Sequence, residues 1–461
     1  MTAAIILAAG DGKRMKSKDP KVCCEVLFKP MLSWVIDSCR GADISDNDTC
    51  IVISDDPRGV TSLISENMHT AVQAERLGTG HAVMCASDFL HDLQARGIKD
   101  VAVLCGDAPF VSSEVLKSAH QHHHANGSVV TVITAKLDDA GRYGRIVRDE
   151  NGSFVKIVEA ADATSEQLLI NEINSGSYWF STAFLIEYLP QLQSENAQSE
   201  YYLTDMISLA VSAGLKADAY VCEDSSIALG ANDRAGLAQL NAVARDVILR
   251  RHYANGVNIP ISDGVMIGPD VEIGCDTTVL PGTILCGKTK IGESCTVGPN
   301  SRIIDCEIGS GCNIDSSRLE QSRVGNGVRI GPFAQLRPNS NIADNVKIGN
   351  FVEIKNSTVG EKTSFAHLTY IGDSDFGARI NVGCGVVTVN YDGKGKYRTT
   401  VGDDAFIGCN SNLIAPVTVE NGAYVAATTT VTENVPADAM TIGRVRQSFY
   451  PGYALRWRKK K

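Results

Sequence analysis

Past residue 254 an aliphatic residue returns at every sixth position, and no other feature of this 461-residue chain restricts its fold so tightly. Ile267, Ile273, Val279, Leu285, Ile291, Val297 and Ile303 keep the spacing, and Gly268, Gly274, Gly292 and Gly298 directly follow four of them. Val324, Ile330, Leu336, Ile342, Ile348 and Ile354 resume it, then Val359, Phe365 and Ile371, and finally Val401, Ile407, Leu413, Val419, Val425 and Val431. A helix repeats near 3.6 residues and a strand at two, so neither gives this register. A β-helix does: one aliphatic side chain per short strand points inward and stacks on its counterpart in the next coil, and small residues take the corners. With three sides per coil, a turn takes about 18 residues, and the stretch 254–461 holds roughly ten coils of a left-handed parallel β-helix followed by a tail. The interruptions near 305–323 and 388–400 are expected to be irregular coils or protruding loops.

The first 230 residues have a different rhythm. Short β-branched runs such as Cys50–Ile53, Val101–Leu104 and Val129–Ile133 alternate with amphipathic stretches such as 112–124. That alternation predicts an α/β fold, Rossmann-like with a mostly parallel sheet, whose ligands sit at the carboxyl ends of the strands. Residues 231–253 form a connecting helix, with Leu237, Leu240, Ala244, Val247 and Ile248 at helical spacing and a stop near Asn255–Gly256.

Composition narrows the function class. With 43 Lys+Arg against 53 Asp+Glu the chain carries a net charge of −10, which gives no bulk attraction to nucleic acid. No apolar run approaches the roughly 20 residues that span a bilayer, so no membrane partner is expected. The opening Met1–Gly10 lacks a basic segment and reads as a buried first strand rather than a signal peptide. Fourteen Cys form no C-x-x-C pair, so a structural metal is not expected and reduced thiols in a cytoplasmic location fit best.

Two motifs carry chemistry in the first half. Leu7-Ala8-Ala9-Gly10-Asp11-Gly12-Lys13-Arg14-Met15, followed by Pro20-Lys21, fails the P-loop pattern but is a glycine-rich loop with fixed cations after a strand, the equipment for holding a nucleoside triphosphate. The strand 101–104 runs into Cys105-Gly106-Asp107, a carboxylate placed to hold Mg²⁺ against phosphate oxygens. Read singly, a turn with solvated charges accounts for each.

Together these motifs resemble the sugar-1-phosphate nucleotidylyltransferases, as do Gln73–Ala82, Tyr143-Gly144-Arg145-Ile146, Val158-Glu159, Glu172–Gly176, Tyr201–Asp205 and Gly230-Ala231-Asn232. With the hexapeptide half added, the chain resembles along nearly its whole length the family of bifunctional N-acetylglucosamine-1-phosphate uridylyltransferases and glucosamine-1-phosphate acetyltransferases. The resemblance assigns Leu7, Ala8, Ala9, Gly10, Gln73, Gly78 and Thr79 to the uridine nucleotide of UTP, and Arg14 and Lys21 to its phosphates. It gives Asp107 and Asn232 to Mg²⁺, and Gly144, Glu159, Asn174 and Thr204 to N-acetylglucosamine 1-phosphate. Lys13 stands where the family usually has Thr, and Cys105 where an aromatic residue is common.

In the repeats, Arg337, Lys355, Ala366–Tyr370, Asn381 and Asn390-Tyr391 lie one to three coils apart, so stacking can bring them onto one face. By resemblance His367 is the general base toward the amine of glucosamine 1-phosphate, with Glu353 as its orienting partner. Arg337, Lys355, Tyr370, Asn381, Asn390 and Tyr391 bind the phosphorylated sugar, and Cys409, Ala427 and Arg444 contact acetyl-CoA. Cys409 occupies a position where the family commonly has Ser. The resemblance also implies a homotrimer. His120–His124 is expected to be an exposed helical segment, and the basic tail 456–461 a solvated end. Residue chemistry by itself leaves three readings open: an enzyme of two reactions, a uridylyltransferase carrying a scaffold, and a sugar-nucleotide sensor.

Overall fold

The computed structural model describes all residues except Asp11, Ala197 and 459–461, and of Lys13 only the backbone. Asp11 of the glycine loop and the last three lysines of the tail therefore lie outside the described residues. The chain divides into two compact units, Met1–Ala244 and Arg245–Lys461. The division falls inside the helix Arg234–Ala254, which ends before Gly256 at φ 80°.

The first unit is built on a nine-stranded sheet: β1 (Thr2–Leu7), β2 (Thr49–Ser54), β3 (His69–Gln73), β4 (Asp100–Cys105), β5 (Val130–Lys136), β6 (Arg145–Arg148), β7 (Phe154–Val158), β8 (Glu172–Ser181) and β9 (Ala217–Cys222). The order is β9-β5-β8-β4-β1-β2-β3, with the β6–β7 hairpin attached to β8. β1 lies parallel to both β2 and β4, while β8 runs antiparallel between β4 and β5. The central strands carry aliphatic side chains on both faces, as a sheet covered on two sides requires. Ile5 and Val103 join one core, Ile6 and Leu104 the other. The helix Ser113–Asn126 begins where the sequence places it, with Ser112 Oγ accepting from Val115 N at 3.3 Å, and ends at Gly127 in the left-handed conformation.

The second unit is a prism of three parallel sheets of ten, nine and ten strands, each coil adding one strand to each sheet. The aliphatic ladders are fully buried: Leu285, Ile303, Leu319, Leu336, Ile354 and Ile371 stack with no exposed area. Register pairs Leu285 with Ile303, Ile303 with Leu319, and Leu336 with Ile354.

Of the two alternatives expected for residues 305–323, the structure excludes a protruding loop and shows shortened coils: strands Glu307–Ile308, Asn313–Ile314 and Arg318–Glu320 continue all three sheets. The spacing shortens to five at Ile303–Ile308 and Ile314–Leu319 because a corner residue is dropped, while Ile308, Ile314 and Leu319 remain inward. The second interruption is a loop, as expected. Nine residues, 390–398, project between strands Val387–Val389 and Thr399–Val401, pinned by the Tyr391–Lys396 bridge.

The glycine that follows the aliphatic residue has a specific cause. A Cβ on Gly274 would lie 2.7 Å from the backbone of Gly292 and Glu293 in the next coil. The left-handed corners themselves go largely to Asn, Asp and Ser, among them Asp276, Ser294, Asn300, Asn345 and Asn410, residues that tolerate positive φ.

Candidate active sites

In the first unit the loop after β1 and the ends of β3 and β4 enclose a cleft of about 230 Å³ at the carboxyl edge of the sheet. Leu7, Ala9, Gly10, Lys21, Gln73, Gly78, Thr79 and Asp107 line it, so eight of the expected residues converge. Gly106 N donates to Leu7 O at 3.0 Å, tying the glycine loop to the segment that presents Asp107. Lys21 Nζ forms an ion pair with Asp107 Oδ2, which places a cation and a carboxylate side by side in the cleft. Gln73 is fixed in the wall, donating from Nε2 to Gly78 O at 3.1 Å. Gly78 itself has φ 110°, and a Cβ there would meet Tyr201 O at 2.6 Å, so the turn into the helix Thr79–Met84 admits no side chain.

Two expected residues do not line the cleft. Ala8 is 3% exposed, with its N–H on Val52 O, and Arg14 is exposed. Arg76 lines it instead, donating from Nε to Ala9 O at 3.1 Å. Its signal was present in Gln73–Ala82, but no motif rule singles out an arginine beside a glycine turn.

A second pocket of about 320 Å³ shares Cys105 and Asp107 and adds Arg142, Tyr143, Ser175, Gly230 and Asn232. Asp107 and Asn232 thus face one space, two hard oxygen donors as Mg²⁺ prefers when phosphates supply the remaining ligands. The four expected sugar residues also gather. Asn174 N donates to Gly144 O at 2.9 Å, Thr204 Oγ1 to Glu159 Oε1 at 3.4 Å, and a Cβ on Gly144 would lie 3.4 Å from the Glu159 carboxylate. Burial raises the Glu159 carboxyl above its ordinary pKa, against the hydrogen bond from Thr204. A register shift between Asn174 and Ser177 bends β8 here.

In the second unit, one side of the prism collects the phosphate-type residues. Arg337 Nη1 donates to Glu353 Oε1 at 2.9 Å, and Glu353 pairs in register with Tyr370. Lys355 sits two residues beyond Glu353 on the same outward face of the strand, with buried Ile354 between them. The Lys396 ammonium beside it, with burial, holds it below the ordinary lysine pKa. Lys396 comes from the projecting loop and was not foreseen as a site residue. Asn390 is 8% exposed and spends its amide on Asp373, so it shapes the floor, while Tyr391 is 57% exposed.

His367 lies just across the corner at Leu368 from Tyr370. Its Nδ1 is hydrogen-bonded to Asn350 Oδ1 in the preceding coil. This corrects the expected pairing with Glu353. Glu353 belongs to a different sheet of the prism, in the column of Gln335 and Tyr370, and its carboxylate is taken by Arg337. An acceptor on Nδ1 leaves Nε2 as the basic nitrogen. Hydrogen bonds Leu368 N to Asn350 O, Asn410 N to Cys384 O and Thr428 N to Cys409 O run down this corner. They carry it from His367 past exposed Cys409 to Ala427, whose carbonyl accepts from Arg444. Asn381 is exposed on the strand beside that of His367, paired in register with Ser364 of the His367 strand.

The His120–His124 run departs from expectation. His123 is 2% exposed and bonded to Thr131 Oγ1 at 2.8 Å, His120 reaches Asp100 at 2.9 Å, and His122 reaches Asp218 at 3.0 Å. Burial pushes the Asp100 carboxyl up, but hydrogen bonds from His120 and His123 outweigh it and hold it well below the usual carboxylate range. These histidines anchor a helix to the sheet. Among the described residues no three His, Cys, Asp or Glu side chains are grouped to hold a metal ion. The tail helix Tyr453–Arg458 is exposed throughout.

Comparison with known proteins divides the chain in the same way. Residues 3–231 match the nucleotidyl transferase family, and residues 264–305 and 321–356 match the bacterial transferase hexapeptide family. A bifunctional protein GlmU of a Geobacillus species (strain WCH70) is 46% identical over 458 residues, covering 99% of this chain and 98% of its own. Another, from Caldanaerobacter subterraneus subsp. tengcongensis, is 47% identical over 98% of this chain and 97% of its own. A third, from Acetivibrio thermocellus, is 46% identical with the same coverage.

Proposed function

This chain belongs to the family of bifunctional GlmU proteins, and on that footing we propose which residues carry each of its two reactions. The chain is a bifunctional enzyme, a uridylyltransferase and an acetyltransferase joined in one polypeptide.

In the uridylyl step a phosphate oxygen of N-acetylglucosamine 1-phosphate attacks the α-phosphorus of UTP. The new O–P bond forms as the bond to the β-phosphate oxygen breaks, and pyrophosphate leaves. Such a displacement depends on positioning and charge neutralisation. Lys21 with the Ala9-Gly10 turn holds the triphosphate, Arg14 contributes its charge from outside the cleft, and Gln73, Gly78 and Thr79 seat the base. Gly144, Glu159, Asn174 and Thr204 read the sugar. Asp107 and Asn232 would hold Mg²⁺, which when bound screens the charge building up between the phosphates.

In the acetyl step the amine of glucosamine 1-phosphate attacks the thioester carbonyl of acetyl-CoA. His367 Nε2 takes the proton, and CoA leaves as its thiol. Arg337, Lys355 and Lys396 neutralise the sugar phosphate, and Tyr370, Asn381 and Tyr391 position the ring. Ala427 and Arg444 lie toward CoA. The observation that carries this reading is the oriented imidazole one corner away from a cluster of three cations. A scaffold gains nothing from that grouping.

The assembly proposed is a homotrimer. Its support is an apolar corner of the prism, Phe333, Phe351 and Leu368, each more than half exposed, with the two rings stacked at 5.4 Å. Fourteen cysteines without a disulfide favour a reducing compartment, the cytoplasm. Among the described residues no helix is long and apolar enough to cross a membrane.

A coupled assay with glucosamine 1-phosphate, acetyl-CoA, UTP and Mg²⁺, following CoA and pyrophosphate separately, tests both assignments. His367→Ala is expected to cut CoA release by about 10²–10⁴-fold while sparing pyrophosphate release from UTP when N-acetylglucosamine 1-phosphate is supplied directly. Asp107→Ala is expected to do the reverse. Undiminished CoA release from His367→Ala would sink the general-base assignment.

A further inference from the structure

At the first coil of the prism, away from the residues assigned to acetyl transfer, a depression of about 530 Å³ is lined by Arg251, His252, Asp270, Glu272, Lys288 and Lys290. His252 is 2% exposed, yet neither of its ring nitrogens has a hydrogen-bond partner. A neutral imidazole always presents one N–H donor and one bare nitrogen. Burying both without partners is a defect that folded proteins rarely keep unless a water, an ion or a ligand completes it.

The charges around it indicate which kind. Three cations face two carboxylates. Glu272 is engaged by Lys290 at 2.9 Å, and Arg251 Nη2 donates to Pro269 O at 2.9 Å, leaving further guanidinium N–H groups. Burial, and then the Arg251 charge, push His252 down to about 4, so the ring is neutral near pH 7 and adds no positive charge of its own. A cationic ligand would meet Arg251 and Lys288. A compact oxyanion offers several acceptor oxygens to guanidinium, ammonium and imidazole N–H donors at once.

We propose that this depression is a second anion site, taking a small oxyanion of the phosphate class between Arg251, His252 and Lys288. The site is separate from the residues that hold the sugar phosphate during acetyl transfer.

The test uses the full-length protein without UTP or sugar phosphate, whose phosphate groups would compete for the site, and reads the depression through His252 alone. Inorganic phosphate is titrated while the His252 ring is followed by ¹⁵N-detected imidazole NMR, assigned with His252→Gln. The expected result is a saturable shift of the His252 nitrogens. It should weaken about tenfold in Lys288→Ala, the loss of one charge-assisted hydrogen bond. Lys288 lies outside the reaction machinery, so Lys288→Ala should keep both activities. Glycerol 3-phosphate in a parallel titration separates the occupants. A stronger response to it marks an esterified phosphate, and a weaker one marks the free ion. A His252 signal that stays fixed through millimolar amounts of both, or that shifts equally in Lys288→Ala, would overturn the proposal and leave a water as the occupant.

Discussion

Asn350 is the residue on which the acetyl-transfer geometry turns. Its side-chain oxygen faces His367 Nδ1, which keeps the proton there and the lone pair on Nε2. Asn350→Ala should lower CoA release by about tenfold without changing pyrophosphate release, because the ring loses its orientation but remains present. Asn350→Asp is a sharper probe. A carboxylate beside the ring favours the imidazolium, so the acid limb of the pH–rate profile moves to higher pH. A limb that stays in place would remove Asn350 from the mechanism. The sequence made His367 and its cations legible through their resemblance and spacing, but not this partner. Asn350 lies seventeen residues from His367, and only the coil length decides that it, rather than Glu353, stands opposite the ring. Lys396 was hidden for a similar reason, because a loop between coils has no register from which to read its neighbours.

Strands and coils were the most readable elements. β2, β4, β5 and the Ser112-capped helix fall within a few residues of where β-branched runs and a cap residue put them. The hexapeptide ladder was also legible, except where five-residue spacings disguised Ile308 and Leu319 as a break. Leu319 is fully buried between Ile303 and Leu336, so Leu319→Ala should cost about 2–5 kcal/mol, as for other core truncations. A residue in an irregular loop would tolerate the change. Gly274→Ala tests the packing of one coil on the next. With backbone atoms 2.7 Å from the new Cβ, destabilisation of about 1–3 kcal/mol is expected in denaturant unfolding. The corner at Gly311, with nothing within 4 Å but φ 67°, should respond only through backbone strain, at the lower end of that range.

For the whole chain, stability should depend on acid through His252. Its pKa falls from 6.5 to about 4 on folding, through burial and then Arg251. The unfolded chain therefore binds a proton that the folded one refuses. Stability is lost as pH drops from about 6.5 toward 4, and this group contributes no further loss below that. Asp270, Glu272, Lys288 and Lys290 share the cavity, so the measurement compares the pH dependence of the unfolding midpoint with that of His252→Gln, whose slope should be shallower. Equal slopes would show that the ring titrates normally. Alkylation of the unreduced, unfolded chain should label fourteen thiols, since none is paired. The nine-residue loop before Thr399 has a further consequence. It stretches one turn of the prism to 25 residues, yet Val401 still pairs with Val419 at the usual interval of eighteen. The prism thus keeps a reading frame that corners can interrupt without shifting, so new chemistry can be written into a corner while every later line keeps its place.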